Sequence, residues 1–190
     1  MILAMTIQLE TEYKKNSVEI DEGLFEKIAS GDMDAFATLY HLTDKAIFGF
    51  ALSILKNKYD AEDVMQDTYL KVKKYAGFYQ KQGKPMAWIL TITKNLSLSK
   101  LKHVSNSHLD VAEQFGLAAE GDDYEKLENL MVLETLLSKL NDEERKVVVL
   151  HAQTGLKHKE IAELLDMSLS TVLSKYARAI KKMSKSLKDM

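Results

Sequence analysis

The stretch HKEIAELLDMSLSTVLSKYARAIKKM, residues 158–183, decides the fold of the C-terminal part of this chain. Apolar residues recur at helical spacing in its first half, and Ser168 follows a short turn, where it can cap a second helix. The small Ala162 lets two helices cross closely. The pattern predicts a helix-turn-helix, whose second helix enters the major groove of DNA, although a helical hairpin with a basic exterior would show the same pattern.

The second helix of this motif carries the side chains that would contact DNA. Those near its start are predicted to face bases, and the cations that follow are predicted to lie near phosphates. The base-facing side chains are Ser170, Thr171, Ser174 and Lys175. The phosphate-facing side chains are Arg178, Lys181 and Lys182.

The net charge of -2 conceals two basic blocks with an acidic segment between them. Residues 23–102 carry 12 basic and 8 acidic side chains and residues 130–190 carry 11 and 8, whereas residues 103–129 carry 1 and 7. Eight lysines and no acidic residue lie between Asp67 and Asp110. Together with the acid-free end of the helix-turn-helix, this segregation favours phosphate binding over the alternative of ordinary solvated helix faces.

The composition predicts an all-α protein of the cytoplasm. One proline in 190 residues favours helix, and the lack of cysteine excludes disulfides and thiolate zinc sites. The N-terminus reads poorly as a signal peptide. The longest apolar run, residues 46–55, is far shorter than the roughly 20 residues that a membrane span needs, so no membrane insertion is expected.

Two small helical domains joined by an acidic, flexible linker are expected. The predicted parts are an N-terminal extension at 1–22, a first helical domain at 23–102, the linker at 103–127 and the helix-turn-helix domain at 128–190. The linker is too poor in apolar residues to pack a core. Its charge would let it imitate a polyanion in a basic channel of a partner.

Capping residues mark several predicted helix ends. Residues 23–57 are predicted to form two helices that part near Thr43, and Asp60 is expected to cap a third helix. Later in the chain, Asn141 and Glu144 form a pattern typical of a capping box.

Polar and acidic side chains crowd the first turns of the helix that Asp60 opens. Carboxylates are stabilised there by the helix dipole, so capping alone is one interpretation. Paired carboxylates also serve acid–base catalysis, but no nucleophile, glycine-rich phosphate loop or metal-spaced histidine set accompanies them. The sequence therefore predicts no enzyme, no cofactor and no metal. The residues in question are Asp60, Glu62, Asp63, Gln66 and Asp67.

Aromatic and basic side chains surround a predicted loop at residues 77–85. Proteins bind single-stranded nucleic acid by stacking bases on aromatic side chains beside cations. Trp88 lies on an apolar helix face and is interpreted mainly as core, whereas the amide of Asn95 can both donate to and accept from a base edge. The candidate DNA contacts in this half are Lys71, Tyr75, Phe78, Tyr79, Lys84, Trp88 and Asn95.

Four stretches together resemble bacterial RNA polymerase sigma factors. GDMDAFATLYHL (31–42), DAEDVMQDTYLKV (60–72) and KPMAWILTITKNLSLSKLK (84–102) are similar to sigma region two. The segment from SKLNDEER to the end of the second helix of the helix-turn-helix (138–183) is similar to region four. The absence of a region three between the two blocks is typical of the compact extracytoplasmic-function group.

The resemblance implies a subunit that directs RNA polymerase to promoters and helps to open them, without catalysis of its own. The helix at 60–72 would dock on a polymerase clamp helix, and the helix at 84–102 would bind the opened minus-ten strand. The helix-turn-helix would read the minus-thirty-five element. The implied partners are core RNA polymerase, promoter DNA and an anti-sigma factor.

Three positions depart from the family pattern. Leu173 and Ile180 stand where basic residues are usual, and Ser99 stands where an aspartate is often found, which leaves the promoter sequence open. Two other functions compete: a freestanding helix-turn-helix regulator that binds duplex DNA as a dimer, and a decoy that mimics a sigma factor. A simple regulator has no use for an acidic docking helix together with an aromatic loop.

Overall fold

A computed structural model of the chain describes residues 19–105 and 132–188, and their regular secondary structure is helical, which confirms the all-α prediction. The elements are α1 (Gly23–Ala29), α2 (Met33–Leu55), α3 (Lys58–Tyr75), a 3-10 turn (Ala76–Phe78), α4 (Pro85–Ser105), α5 (132–138), α6 (Asp142–Thr154), α7 (His158–Leu165) and α8 (Leu169–Ser186). Within these ranges no helix is both long and apolar enough to cross a membrane. The predicted linker, apart from its first residues in α4, lies outside the described residues.

The first helix boundary differs from the prediction. The chain does not break near Thr43, which is buried inside the continuous helix α2. It turns earlier, at Gly31, whose φ of 93° suits a residue without a side chain. Asp32 then caps α2 by accepting hydrogen bonds from the backbone N–H groups of Asp34 and Ala35. The apolar residues just before Thr43 therefore belong to the first turns of α2, and Gly31 with Asp32 marks where that helix begins.

The predicted cap at Asp60 is wrong, because the helix begins three residues earlier, and the two later caps are confirmed. Asn57, three residues before the predicted Asp60, caps α3 and accepts from the Asp60 N–H. The capping box at the start of α6 is confirmed, with Asn141 and Glu144 bonded reciprocally. Ser168 caps α8 as predicted.

One apolar cluster runs through both halves of the chain. Phe50 on α2 and Ile89 on α4 are fully buried, and the same cluster includes Leu150 on α6 and Ile161 on α7. Helices α2 and α6 form the largest contact between the halves. Burial of such side chains stabilises a fold by roughly 1.5–3 kcal/mol each, so this shared cluster holds the halves together.

Candidate DNA-binding and partner-docking surfaces

One exposed face of α3 combines acidic and apolar side chains. Asp63, Gln66 and Asp67 are exposed and lie on one side of the helix, because residues three and four apart are neighbours on its surface. Leu70 is 65% exposed and Tyr59 is 72% exposed on the same side. We call Tyr59, Asp63, Gln66, Asp67 and Leu70 the docking face. The two large apolar side chains lie at the two ends of this acidic stripe, where contact with another protein would remove them from water.

The remaining acids of the predicted set serve the fold as well. Lys100 of α4 bonds to Asp60 at 2.9 Å and to Asp63 at 2.8 Å. Burial opposes the charge on this lysine, but hydrogen bonds from its ammonium to Asp63 and Asp60 raise the pKa of Lys100 overall. Glu62 lies 3.7 Å from Lys58 within α3. Asp60 therefore ties α3 to α4, and Asp63 belongs both to this contact and to the docking face.

Sequence reasoning missed the apolar part of the docking face. Tyr59 and Leu70 share a helical stripe with Asp63 and Gln66, opposite the buried positions Ala61, Val64, Thr68 and Val72. The signal was present in the spacing 59, 63, 66 and 70, which places two large apolar residues on the polar side of an amphipathic helix.

The aromatic residues around the loop divide into two exposed rings and two packed rings. Phe78 is 79% exposed and Tyr75 is 41% exposed, with their centroids 6.4 Å apart. Tyr79 instead stacks on Phe25 at 4.2 Å, and Trp88 meets the same Phe25 edge-on at 5.4 Å. The exposed pair can receive unstacked bases, whereas the packed pair forms the wall behind them.

Glu22, placed in the N-terminal extension by the sequence analysis, anchors the loop. Its carboxylate accepts hydrogen bonds from the Tyr79 hydroxyl and from the Gly83 N–H, the latter at 2.9 Å. Burial, followed by this bond to Glu22, raises the pKa of Tyr79 to about 12. The loop is thus fixed by a residue about 60 positions away, which no local pattern could reveal.

Helix α4 presents its candidate DNA contacts on an exposed side. Asn95 is exposed, and Thr91 lies exposed one turn before it. Lys71 is exposed on α3. Lys84, at the start of α4, reaches Glu163 of α7 at 3.0 Å. This hydrogen bond raises the pKa of Lys84 and lowers that of Glu163.

Helix α8 exposes most of its predicted DNA-reading side chains. Ser170, Ser174, Arg178, Lys181 and Lys182 are exposed, and Thr171 is half-buried. Lys182 bonds to the buried Glu144 at 2.6 Å.

Lys175 is the exception on this helix. Its side chain is only 13% exposed and forms an ion pair with Glu143 of α6. Leu173, one of the three positions that depart from the resembled pattern, is 46% exposed. Arg178 and Lys181 are therefore the clearer phosphate contacts.

A cleft of about 400 Å³ separates the loop from α7. Phe78, Tyr79 and Trp88 line one side, and Glu160 and Glu163 line the other. Four of the predicted DNA contacts of the first half therefore face acidic side chains of the second half, namely Phe78, Tyr79, Lys84 and Trp88. The structure brings the two predicted DNA surfaces into one body.

A histidine pair supports the packing of the helix-turn-helix. His158 of α7 stacks on His151 of α6 at 4.4 Å and meets Tyr176 of α8 edge-on at 4.8 Å. Among the described residues its buried Nε2 has no hydrogen-bond partner. Burial, followed by the nearby His151, lowers the pKa of His158, so the fold favours its neutral form.

This pair makes stability fall in mild acid. Below the ordinary histidine pKa of about 6.5 the unfolded chain binds a proton that His158 in the folded chain resists, so the free energy of unfolding falls from about pH 7 downwards until the lowered folded pKa is passed. Urea unfolding at several pH values should show a shallower pH dependence for His158→Phe, which keeps an aromatic ring without a titrating group. Parallel curves for the two proteins would contradict this role.

Comparison with known families matches both halves of the chain. The family model described as Sigma-70 region 2 matches residues 39–106, and the model described as Sigma-70, region 4 matches residues 130–183. Together these segments make up more than half of the chain.

Curated relatives show the same similarity along most of their length. The extracytoplasmic-function sigma factor SigK of Mycobacterium sp. (strain KMS) is 26% identical over 166 residues, covering 83% of this chain and 86% of the relative. SigW of Bacillus subtilis (strain 168) is 25% identical over 177 residues, covering 86% and 95%.

Two solved structures share the architecture. CnrH, solved in complex with the cytosolic domain of CnrY, aligns with a TM-score of 0.63 and 26% identity over 89% of this chain and 97% of that one. The sigma factor RpoE of Bartonella quintana, solved with the anti-sigma factor NepR, aligns with a TM-score of 0.66 over 80% and 96%. At 22% identity this second likeness concerns the fold alone.

Proposed function

Since the chain belongs to the sigma-70 family, in its extracytoplasmic-function group, we propose that its three exposed surfaces divide the work of promoter recognition between polymerase docking, strand opening and duplex reading. A protein of this family directs promoter-specific transcription initiation and is not an enzyme, because the polymerase makes the RNA. The proposed units are a domain at 23–102 and a helix-turn-helix domain at 128–190, joined by the acidic segment 103–127.

The docking face of α3 binds core RNA polymerase in this proposal. The single observation that carries the proposal is that Tyr59 and Leu70 lie exposed among Asp63, Gln66 and Asp67 on a helix otherwise well packed in the fold. Large apolar side chains left in water are favourable to bury against a partner, and the carboxylates between them can pair with basic side chains of that partner.

The loop and α4 bind the opened strand in this proposal. Tyr75 and Phe78 offer exposed rings for two bases, with the Lys74 ammonium 5.5 Å from the Tyr75 ring centroid, and Asn95 offers an amide to a base edge. Lys71 and Lys84 would contact the backbone of the same strand. Trp88 and Tyr79 contribute indirectly, because they hold the loop against Phe25.

Helix α8 reads duplex DNA in this proposal. Ser170, Thr171 and Ser174 lie in its first turns, where a helix-turn-helix contacts bases. Lys175 is held by Glu143, so it reaches DNA only by exchanging that partner. Arg178 and Lys181 would contact phosphates, and Lys182 would do so by exchanging its partner Glu144.

Removing two phosphate contacts should flatten the salt dependence of DNA binding. Each contact with duplex DNA contributes a slope of about 0.9 in log K against log salt concentration, so Arg178→Ala with Lys181→Ala should lower the slope of the full chain by roughly 1.8. Fluorescence anisotropy with duplex DNA over a salt series measures it. Lys27→Ala with Lys45→Ala removes the same charge elsewhere and should leave the slope nearly unchanged; an equal loss in both variants would refute the assignment.

An anti-sigma factor and a cytoplasmic site of action complete the proposal. CnrH and RpoE were each solved with a protein partner, and RpoE's partner is named an anti-sigma factor. Core polymerase and promoter DNA are found in the bacterial cytoplasm, so the chain would act there.

Run-off transcription tests the proposal as a whole. Purified core polymerase with this chain should transcribe from a subset of upstream regions in a genomic library, and core polymerase by itself should not. Absence of any chain-dependent transcript, together with specific duplex binding by the isolated chain, would favour the freestanding regulator.

A further inference from the structure

An apolar side chain interrupts the polar side of α8. Leu173 is 46% exposed, although the residue before it, Val172, is fully buried in the shared apolar cluster. Residues three and four apart are neighbours on a helix surface, so Leu173 lies between Ser170 and Ala177, which are both exposed. The side chain of Leu173 therefore contributes little to the core and is available to whatever covers this side of the helix.

The neighbouring side chains indicate what covers Leu173. Ser170 and Ser174 carry hydroxyls that can bond to base edges, and Arg178 and Lys181 follow as exposed cations for phosphates. Helix α8 carries no acidic residue from its first position to its last. This surface fits the major groove of DNA, so the partner of the leucine must be an apolar group on a base edge.

The major groove offers one kind of methyl group to such a side chain. It is the C5 methyl of thymine, whereas the other base atoms there are hydrogen-bond donors and acceptors. Leucine can neither donate nor accept, so against guanine or cytosine it would leave those base atoms without partners, which is unfavourable. Against thymine it removes two apolar groups from water together.

We propose that Leu173 is a specificity-determining residue, which selects an A·T pair in the minus-thirty-five element by contact with the C5 methyl of its thymine. The inference rests on the proposed function, because it takes α8 as the helix that reads duplex DNA. Leu173 is one of the three positions that depart from the resembled pattern, so this base preference is particular to the chain. An arginine or a lysine in its place would instead bond to O6 and N7 of guanine.

Replacement of thymine by deoxyuridine tests the contact one methyl group at a time. A labelled promoter identified by run-off transcription is titrated with the full chain plus core polymerase, and each thymine of the minus-thirty-five element is replaced in turn. Burial of one methyl group corresponds to about a fourfold change in affinity, so one of these replacements should weaken binding by roughly 2- to 10-fold.

Leu173→Ala should remove this response. It should weaken binding to the unmodified promoter at least as much as the deoxyuridine does, and the two changes together should cost no more than Leu173→Ala alone, because both remove the same contact. Leu173→Arg should move the preference at the same position from A·T to G·C, by roughly 5- to 150-fold for one base pair.

Leu187→Ala is the matched control. Leu187 is also an exposed leucine, and it lies at the C-terminal cap of α8, about 21 Å from Leu173 along the helix. Its truncation removes the same atoms and should leave both the affinity and the response to deoxyuridine as in the wild type.

Three results would overturn the inference. An equal response to deoxyuridine in the wild type and in Leu173→Ala would mean that the methyl group acts through the shape of the DNA. No response of the wild type at any thymine would mean that Leu173 contacts none of them. Weaker binding of Leu173→Ala to core polymerase in the absence of DNA would assign the leucine to a protein contact.

Failure of the proposed function gives a different result. If no upstream region yields a chain-dependent transcript, the same comparison is made on the duplex that the chain binds by itself, since the inference requires only that α8 enters a major groove. Absence of specific duplex binding both with and without core polymerase would refute the reading role of α8 and of Leu173 together.

Discussion

Gln66→Lys combined with Asp67→Lys is expected to abolish promoter-directed transcription. Both side chains are exposed on the docking face, where they flank the exposed Leu70. Lysines at these positions would reverse the charge of a surface that the polymerase must cover. Loss of even one hot-spot contact of about 2 kcal/mol weakens an interface about 30-fold, and introduced repulsion adds to this.

The effect should be confined to polymerase binding. Affinity for core polymerase measured by fluorescence anisotropy should fall at least about 30-fold, while helical content and the weak affinity for duplex DNA stay near wild type. Asp34→Lys with Ala37→Lys adds the same charge on an exposed side of α2 and should bind core polymerase normally. Normal transcription by the doubly substituted protein would show that the docking face does not bind core polymerase.

Phe78→Ala is expected to block strand opening without preventing promoter binding. The ring is 79% exposed and touches Tyr75 at a centroid distance of 6.4 Å, so it contributes little to the core. Stacking of one base on an aromatic ring contributes about 1–3 kcal/mol, which corresponds to a loss of roughly 5- to 150-fold in open complexes.

Fluorescence of 2-aminopurine placed in the minus-ten strand measures this opening. Phe78→Tyr keeps the ring face and should open the promoter nearly as well as the wild type. Trp88→Ala removes a packed ring instead of an exposed one. Because that ring packs on Phe25, its loss should lower the free energy of unfolding. Normal strand opening by the Phe78→Ala protein would show that another residue receives the unstacked base.

Local signals in the sequence predicted most of the helices and caps. Ser168 and the pair of Asn141 and Glu144 act within three residues of their partners, so their roles were readable from spacing. The start of α2 was misplaced because the apolar spacing of the region continues smoothly across Gly31. There the backbone conformation, and not the hydrophobic pattern, sets the helix boundary.

Ion pairs between residues far apart in the chain could not be predicted from the sequence. The run of lysines after Asp67 looked free of acidic neighbours, yet Lys84 and Lys94 meet Glu163 and Asp166 more than 70 positions away. Lys175 likewise meets Glu143 on another helix. Charge segregation along a chain describes its surface only where the fold does not bring the opposite charge back, and that depends on packing between helices.

The packing of the two halves gives a reason to expect weak promoter binding by the free chain. The sequence suggested two domains without fixed spacing, whereas the structure packs both halves around one apolar cluster. Whether the domains are flexibly linked or packed together, the two DNA-binding surfaces are not held at the distance that separates the two promoter elements. We expect core polymerase to separate the two surfaces and to hold them at that spacing.

Promoter binding with and without core polymerase tests this account most directly. A labelled duplex promoter identified by run-off transcription is titrated with the chain alone and with the chain plus core polymerase, beside a scrambled duplex. We expect weak, sequence-independent binding by the free chain and tight, promoter-specific binding only when core polymerase is present. Tight, specific binding by the chain alone would contradict the account and identify a freestanding regulator.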